Sequence, residues 1–327
     1  MSKCNGCGVE LQCDNKNKSG YYPKEVDKPS YCERCFKIMH YNEVDLLSIP
    51  RDNNNIIEVV NNTKCLSVFM VDFLNINKET MGTFSMLKGD KVLVISKVDI
   101  IPRSISRNRL TDWIKTTYKV DCPVIYLSSK KNINTGFIDK LSKAYDLIFL
   151  LGYSNAGKST FLNKLLDNYM STDLKITTSM IPNTTLDFIH INLTKDLIVV
   201  DSPGFTYNQY FYNLDEASLI KRLDTKKFLS PITYQTKDVT NILIEDRFIL
   251  HSDVTNSVTC YMSNQIDLVK IYNTSKYSNL ITKEIDIYDN TDLIIKGVGF
   301  INIKNACKLT IMCKDFDLIE FRSSLFE

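Results

Sequence analysis

The chain has 327 residues, 44% of them hydrophobic and 24% charged, with a net charge of +2. That length predicts two or three domains, and the charge balance excludes a chain-wide basic surface, so a nucleic-acid contact would be a local patch and no DNA partner is expected. No run approaches the roughly 18 apolar residues of a membrane helix, and the start MSKCNGCGVELQC lacks a secretory apolar core, so the expectation is a cytoplasmic protein without a membrane partner, its cysteines reduced or metal-bound.

Residues 1 to about 40 hold few aliphatic side chains and five of the ten cysteines. CNGC (Cys4, Cys7) and CERC (Cys32, Cys35) are two CxxC pairs 24 residues apart. Each pair suits two ligands of one tetrahedral Zn²⁺, and a structural zinc contributes on the order of 10 kcal/mol, enough to fold a segment without an apolar core. A redox pair is the competing reading of a CxxC, and Cys13 and His40 are rival ligands that lack the paired spacing. The remaining cysteines, Cys65, Cys122, Cys260, Cys307 and Cys313, sit in or beside apolar patterns and read as core residues.

The Asn-rich stretch 51–64 reads as a loop or frayed connector. An α/β rhythm follows. Strands are expected over 66–74, 91–96, 123–129 and 146–152, and helices over 105–119, 135–145 and 158–168. Residues 185–193 and 196–201 read as a hairpin. The alternation predicts a mostly parallel sheet with helices on both faces. After about residue 225 the runs are short and β-type, separated by polar turns, with no convincing sequence repeat. The expected division is 1–45, a treble-clef or ribbon-like zinc module; 46–225, an α/β domain; and 226–327, a β-rich domain.

GYSNAGKST fits the phosphate-binding loop G-x-x-x-x-G-K-[ST] from Gly152 through Asn155, Ala156, Gly157, Lys158 and Ser159 to Thr160, between a predicted strand and a predicted helix. Backbone N–H groups would wrap phosphates there, with Lys158 on the β/γ-phosphates and Ser159 on Mg²⁺. DSPG puts Asp201 at a strand end, suited to Mg²⁺, and Gly204 beside a γ-phosphate. In PNTT, Thr184 or Thr185 would close on Mg²⁺ and the γ-phosphate. SKVD (Ser96, Lys97, Asp99) looks like a guanine-reading motif, in which Asp99 accepts from guanine N1–H and N2–H₂. SSK (Ser128, Ser129, Lys130) would offer an N–H to guanine O6. The base-reading segments precede the phosphate loop, the reverse of the usual order. All five converge on one edge of a parallel sheet whichever strand comes first, so the pattern predicts a circularly permuted P-loop GTPase domain binding GTP or GDP.

CNGCGVELQ, YCERCFKIMHYN, KVDIIPRS, GYSNAGKST, IPNTTLDFI and DSPG together resemble the YqeH-type circularly permuted GTPases, which assist assembly of the small ribosomal subunit. The resemblance is strongest over 1–48 and 91–205. It implies Cys4, Cys7, Cys32 and Cys35 as zinc ligands, Asn155 beside a K⁺ ion, and a β-rich C-terminal domain similar to RNA-binding modules. Partners would be the small (30S) subunit or its precursor and its rRNA. Phe205 stands where Ras-like GTPases carry a water-orienting Gln, so slow intrinsic hydrolysis is implied. Ser96 stands where the family has Asn, which bonds guanine and braces the phosphate loop; weaker but still guanine-specific binding is expected. Two other readings stay open: a nucleotide-sensing RNA or ribosome scaffold with little or no intrinsic GTPase activity, and a zinc-bearing ATPase, against which Asp99 argues.

Overall fold

The apolar runs of the first half are neighbouring strands of one sheet in the computed structural model, which describes Cys4 and residues 10–15, 20–24, 29–33, 53–103, 105–170, 177–180, 188–209, 211–212, 216–225 and 228–326. The chain divides into two units. One comprises Met1–Asp72, Gly82–Val98 and Cys122–Thr206; the other comprises Phe73–Met81, Asp99–Asp121 and Tyr207–Glu327.

The first unit is built on a seven-stranded sheet of β1 (Leu66–Asp72), β2 (Lys91–Ser96), β3 (Val124–Tyr126), β4 (Leu147–Gly152), β5 (Thr177–Met180), β6 (Ile189–Thr194) and β7 (Leu197–Asp201), in the order β3-β2-β1-β4-β7-β6-β5. β3, β2, β1, β4 and β7 are parallel, while β6 runs antiparallel to both β7 and β5, so the hairpin expected over 185–201 appears as β6 and β7. β1 is buried along its whole length, as a central parallel strand must be. Val68 and Met70 point to one face, where they meet Phe161, Leu162, Leu165 and Leu166 of α5 (Lys158–Met170) and Phe137 and Ile138 of α4 (Phe137–Leu141). Phe69 points to the other face and packs on Phe84, at the end of helix α2 (Lys78–Ser85), and on Phe205.

One expectation fails here. Within 51–64, expected as a loop or frayed connector, helix α1 spans Asn53–Asn61. Asn is a poor helix former, at about 0.7 kcal/mol per residue. Ile56, Ile57 and Val60 nevertheless lie at i, i+1 and i+4 and are all buried. Burying each is worth about 1.5–3 kcal/mol, which outweighs the propensity term. Helix α2 is a second element that the sequence reading did not foresee.

The second unit holds helices α3 (Arg107–Tyr118) and α6 (Ala217–Leu223) and two five-stranded antiparallel sheets. Their strands are β8 (Ile232–Thr236), β9 (Thr240–Ile244), β10 (Phe248–Ser252), β11 (Asn256–Met262), β12 (Leu268–Ile271), β13 (Ile281–Ile287), β14 (Thr291–Ile295), β15 (Gly299–Ile303), β16 (Cys307–Cys313) and β17 (Ile319–Ser323). The sheet orders are β12-β9-β10-β16-β13 and β17-β14-β15-β11-β8. Their inner faces share one core, in which Ile242, Phe248 and Ile311 of the first sheet meet Val258, Leu293 and Ile301 of the second. The amphipathic helix expected over 105–119 is α3, and its Trp113 packs in this unit, with the Arg322 guanidinium over its ring at 4.8 Å.

The sandwich is an internal duplication. β8–β12 pair among themselves as β13–β17 do: β8 with β11 as β13 with β16, β9 with β10 as β14 with β15, β9 with β12 as β14 with β17. Registers recur with an offset of 51 residues: Ile244 faces Phe248 and Ile295 faces Gly299; Ile271 faces Asn241 and Arg322 faces Asp292. The halves exchange strands, since β10 pairs with β16 and β15 with β11. Leu229/Leu280, Asp238/Asp289, Thr240/Thr291, Ile244/Ile295 and Thr259/Thr310 stay identical across the repeat, too few to stand out in sequence.

Candidate nucleotide-binding site

β4 runs into the phosphate loop and α5 starts at its end with Lys158. The turn needs residues tolerant of positive φ: Gly152 (+146°), Asn155 (+64°) and Gly157 (+89°). At Gly152 sterics add to this, because a Cβ would sit 2.3 Å from the Met70 carbonyl oxygen of β1. The motif glycine is therefore also what lets the loop leave the middle of the sheet. Thr160 is exposed, Ala156 is buried, and Ser159 is half-buried in the first turn of α5.

Lys158 is buried. Its Nζ donates to the carbonyls of Gly152 (2.6 Å) and Tyr153 (3.3 Å), and burial lowers its pKa to about 8, with the Asp201 charge opposing that shift. Asp201 lies fully buried at the end of β7, opposite Leu150 of β4. A hard carboxylate at a parallel strand's C-terminal end, with the Ser159 hydroxyl on the adjoining helix, is an oxygen donor set suited to Mg²⁺. Gly204 follows in the tightest part of the site. A Cβ there would meet Ser154 Oγ at 3.1 Å and Lys158 Nζ at 3.4 Å, so the space beside the lysine exists only because residue 204 has no side chain.

Phe205 behaves unlike a water-orienting residue. It is fully buried, with its ring 5.9 Å from that of Phe69 and 5.7 Å from that of Tyr153. Its N–H donates to the Gly152 carbonyl (3.1 Å), and its own carbonyl accepts from Ser154 N–H (3.0 Å). The Tyr153 hydroxyl in turn shares a 2.8 Å hydrogen bond with Thr83 of α2. Phe205 and Tyr153 thus tie the DSPG segment to the phosphate loop. Both lie at variable positions of the two motifs, so motif matching did not single out Tyr153 or Thr83; the one available signal was aromatic residues where the patterns allow anything.

Ser96 ends β2 and is buried. Its Oγ donates to the Ala156 carbonyl at 2.6 Å, so the brace from this strand to the phosphate loop is made by a hydroxyl. Lys97 follows with φ +52°, and Asp99 lies on the 3₁₀ turn Val98–Ile100. After β3, Ser128 is buried and accepts from the Lys131 N–H (3.1 Å), Ser129 is half-buried, and Lys130 is exposed. In the first unit, then, Ser96, Gly152–Thr160 and Asp201–Gly204 come together, with Ser128 at the end of the strand next to β2.

Thr184 and Thr185 lie outside the described residues, as do Cys7, Cys35 and His40. The two other expected zinc ligands are described. Cys4 and Cys32, from different CxxC pairs, are both buried, and the Cys32 N–H donates to Cys4 Sγ at 3.2 Å. Among the described residues no three metal-ligating side chains cluster. Of the cysteines expected in the core, Cys260 and Cys313 are buried, whereas Cys65, Cys122 and Cys307 are half-buried because they stand at strand edges or connections.

The model of the RsgA GTPase family matches residues 45–211. The chain is 29% identical over 343 aligned positions to "Uncharacterized protein YqeH" of Bacillus subtilis (strain 168), with 93% of each chain covered. It is 26% identical over 231 positions to "NO-associated protein 1, chloroplastic/mitochondrial" of Arabidopsis thaliana, covering 59% of this chain and 41% of that one. Among solved structures it matches YjeQ from Thermotoga maritima at 21% identity and a TM-score of 0.30, over 44% of this chain and 49% of that chain.

Proposed function

Because the chain belongs to the RsgA GTPase family and is a YqeH-type, circularly permuted GTPase, we propose that it acts as a nucleotide-controlled assembly factor for the small ribosomal subunit. It binds GTP or GDP with Mg²⁺. Residues 1–45 serve as a zinc-binding module, 46–225 as the permuted GTPase domain, and 226–327 as a β-rich domain that contacts rRNA or a subunit precursor. The role is exercised in the cytoplasm.

The observation that carries this reading is the gathering of Ser96, Lys158, Asp201 and Gly204 about one phosphate loop although their motifs run in reversed order. The roles follow from the chemistry of each group. Gly152 to Thr160 cradle the phosphates with backbone N–H groups, and Lys158 releases its loop carbonyls to meet the β/γ-phosphates. Ser159 and Asp201 hold Mg²⁺, joined by Thr184 or Thr185. Gly204 offers its N–H to the γ-phosphate. Lys97, Asp99 and the Ser128–Lys130 segment read guanine. Asn155, exposed at positive φ on the loop, suits a K⁺ ion that supplies charge stabilisation in hydrolysis. With Phe205 locked in the core, no side chain at that place orients water, and turnover is slow without K⁺ or a ribosomal partner.

Zinc at Cys4, Cys7, Cys32 and Cys35 is supported by the N–H to sulfur bond from Cys32 to Cys4, which brings one cysteine of each CxxC pair together as a single tetrahedral site requires.

Calorimetric titration of the chain with GDP and with ADP, in K⁺ and Mg²⁺, tests the nucleotide site. Binding of GDP without ADP heat is expected; equal or absent binding of both would overturn guanine reading. Cosedimentation with small and large ribosomal subunits tests the partner. Retention on the small subunit that depends on the nucleotide is expected, and equal retention on both subunits would remove it.

A further inference from the structure

A cavity of about 920 Å³ opens in the second unit, lined by Asn208, Gln209, Phe211 and Tyr212 on one side and by the β9–β10 turn on another. Phe211, Leu280 and Leu318 give it apolar walls, and Glu245, Asp246 and Lys314 stand among its polar lining. Its size lies in the range of ligand-binding pockets. The duplication of the sandwich supplies an internal reference for it. Fifty-one residues after the turn at 245–247 comes the turn at 296–298, and Leu280 corresponds to Leu229.

At those counterpart positions the surface is covered by a segment of the chain itself. Gly297 N–H donates to Asn75 Oδ1 (3.1 Å) and Lys296 Nζ pairs with the Glu79 carboxylate (2.7 Å) of the stretch 73–81, whose Phe73 ring meets Phe300 edge-on at 5.6 Å; Phe300 corresponds to Ile249, which lies in the core, and Leu229 N–H bonds a different stretch, at the Ile100 carbonyl (3.3 Å). One half of the sandwich therefore holds a polypeptide stretch at this turn by one backbone N–H and one ion pair. The other half presents the equivalent place as a cavity.

The charges are exchanged between the two. Lys296, which receives Glu79, corresponds to Glu245, and Gly297 corresponds to the exposed Asp246. Arg247, beside them, is engaged by Glu216 (2.5 Å) and by the Phe211 carbonyl (3.3 Å). Glu245 takes Arg222 on one oxygen and the Asp267 N–H on the other, and a carboxylate retains lone pairs for a further donor. Lys314 suits a backbone carbonyl of an incoming chain. Phosphate would be repelled from the two carboxylates, so nucleic acid is disfavoured.

We propose that this cavity docks a short segment of a partner protein, with an apolar anchor side chain followed by a lysine or arginine held at Glu245 and Asp246. The probe is a fluorescein-labelled peptide of residues 73–82 carrying Glu79→Lys, titrated by anisotropy into the full chain with GDP bound. The counterpart surface is already filled by the tethered original. The unmodified peptide is expected to bind about tenfold more weakly, reflecting the carboxylates. Asp246→Lys and Leu280→Asp are each expected to weaken the modified peptide by about tenfold with GDP affinity unchanged. Asp246 is exposed, so Asp246→Lys keeps the test alive if Leu280→Asp lowers the melting temperature. Binding by neither peptide, or equal binding by the wild type and Asp246→Lys, would overturn the proposal. So would displacement of the peptide by single-stranded RNA, which would make the cavity a nucleic-acid site.

Discussion

Ser96 shows how a single substitution divides a role that one side chain usually combines. An Asn at this place reaches both the base and the phosphate loop; the shorter serine hydroxyl is committed to the Ala156 carbonyl. The loop brace is thus kept, and in the proposed reading guanine discrimination falls to Asp99. Ser96→Ala should cost about 1 kcal/mol, several-fold in affinity, equally for GDP and GTP, as calorimetry would register. Asp99→Asn should instead shift preference from guanine to xanthine nucleotides, and unchanged GDP binding by that variant would remove Asp99 from base reading. Phe205 offers the opposite lesson, since the place of a catalytic residue is occupied by a packing one. Phe205→Ala should lower stability by about 3–5 kcal/mol through the cavity left between Phe69 and Tyr153, seen as a fall in denaturation midpoint. Phe205→Gln should destabilise as well, because its amide would be buried among rings, and it should not raise turnover.

The phosphate loop is tied to α2 as well as to α5, through the hydrogen bond from Tyr153 to Thr83. Tyr153→Phe should leave the Thr83 hydroxyl without this partner at a cost of about 1 kcal/mol. Its mark should be faster amide exchange over residues 82–87, with nucleotide-binding stoichiometry unchanged; unaltered exchange there would mean that α2 is held independently of the loop. α2 is also where sequence reading was blind. Its residues KETMGTFS include Gly82 and three β-branched or hydroxyl side chains, with only Met81 and Phe84 as large apolar groups, so no helical stripe stands out. α1 was hidden by its asparagines for the same reason: burial decided the conformation and propensity did not. The phosphate loop, by contrast, was legible, because Gly152, Gly157, Lys158 and Ser159 each answer a separate local demand of the turn or the chemistry. The brace by Ser96 was not, since which of two partners a short side chain keeps is settled by distance.

At the scale of the molecule, the strand alternation before residue 201 and the β-only character after 225 could both be read from apolar periodicity, whereas the pairing of β10 with β16 and of β15 with β11 could not, because pairing is a long-range choice. The proposed zinc module belongs to this scale too. One zinc per chain is expected by elemental analysis, lost with Cys4→Ser, and a strong chelator should unfold the N-terminal segment while GDP binding persists. If the nucleotide state acts beyond the GTPase domain, amide protection over 205–327 should differ between GDP and a GTP analogue, and identical protection would count against such a switch.

The exchange of strands between the two halves of the sandwich also constrains how the protein comes into being. β10 finds its neighbour β16 only about sixty residues further along, and β11 must wait for β15. A nascent chain halted near residue 275 would hold β8–β12 with the unpaired edges of β10 and β11 open to any passing strand. Both sheets close late and together. High contact order of this kind slows folding, and the half-made domain is the form in which this protein is most exposed to misassembly.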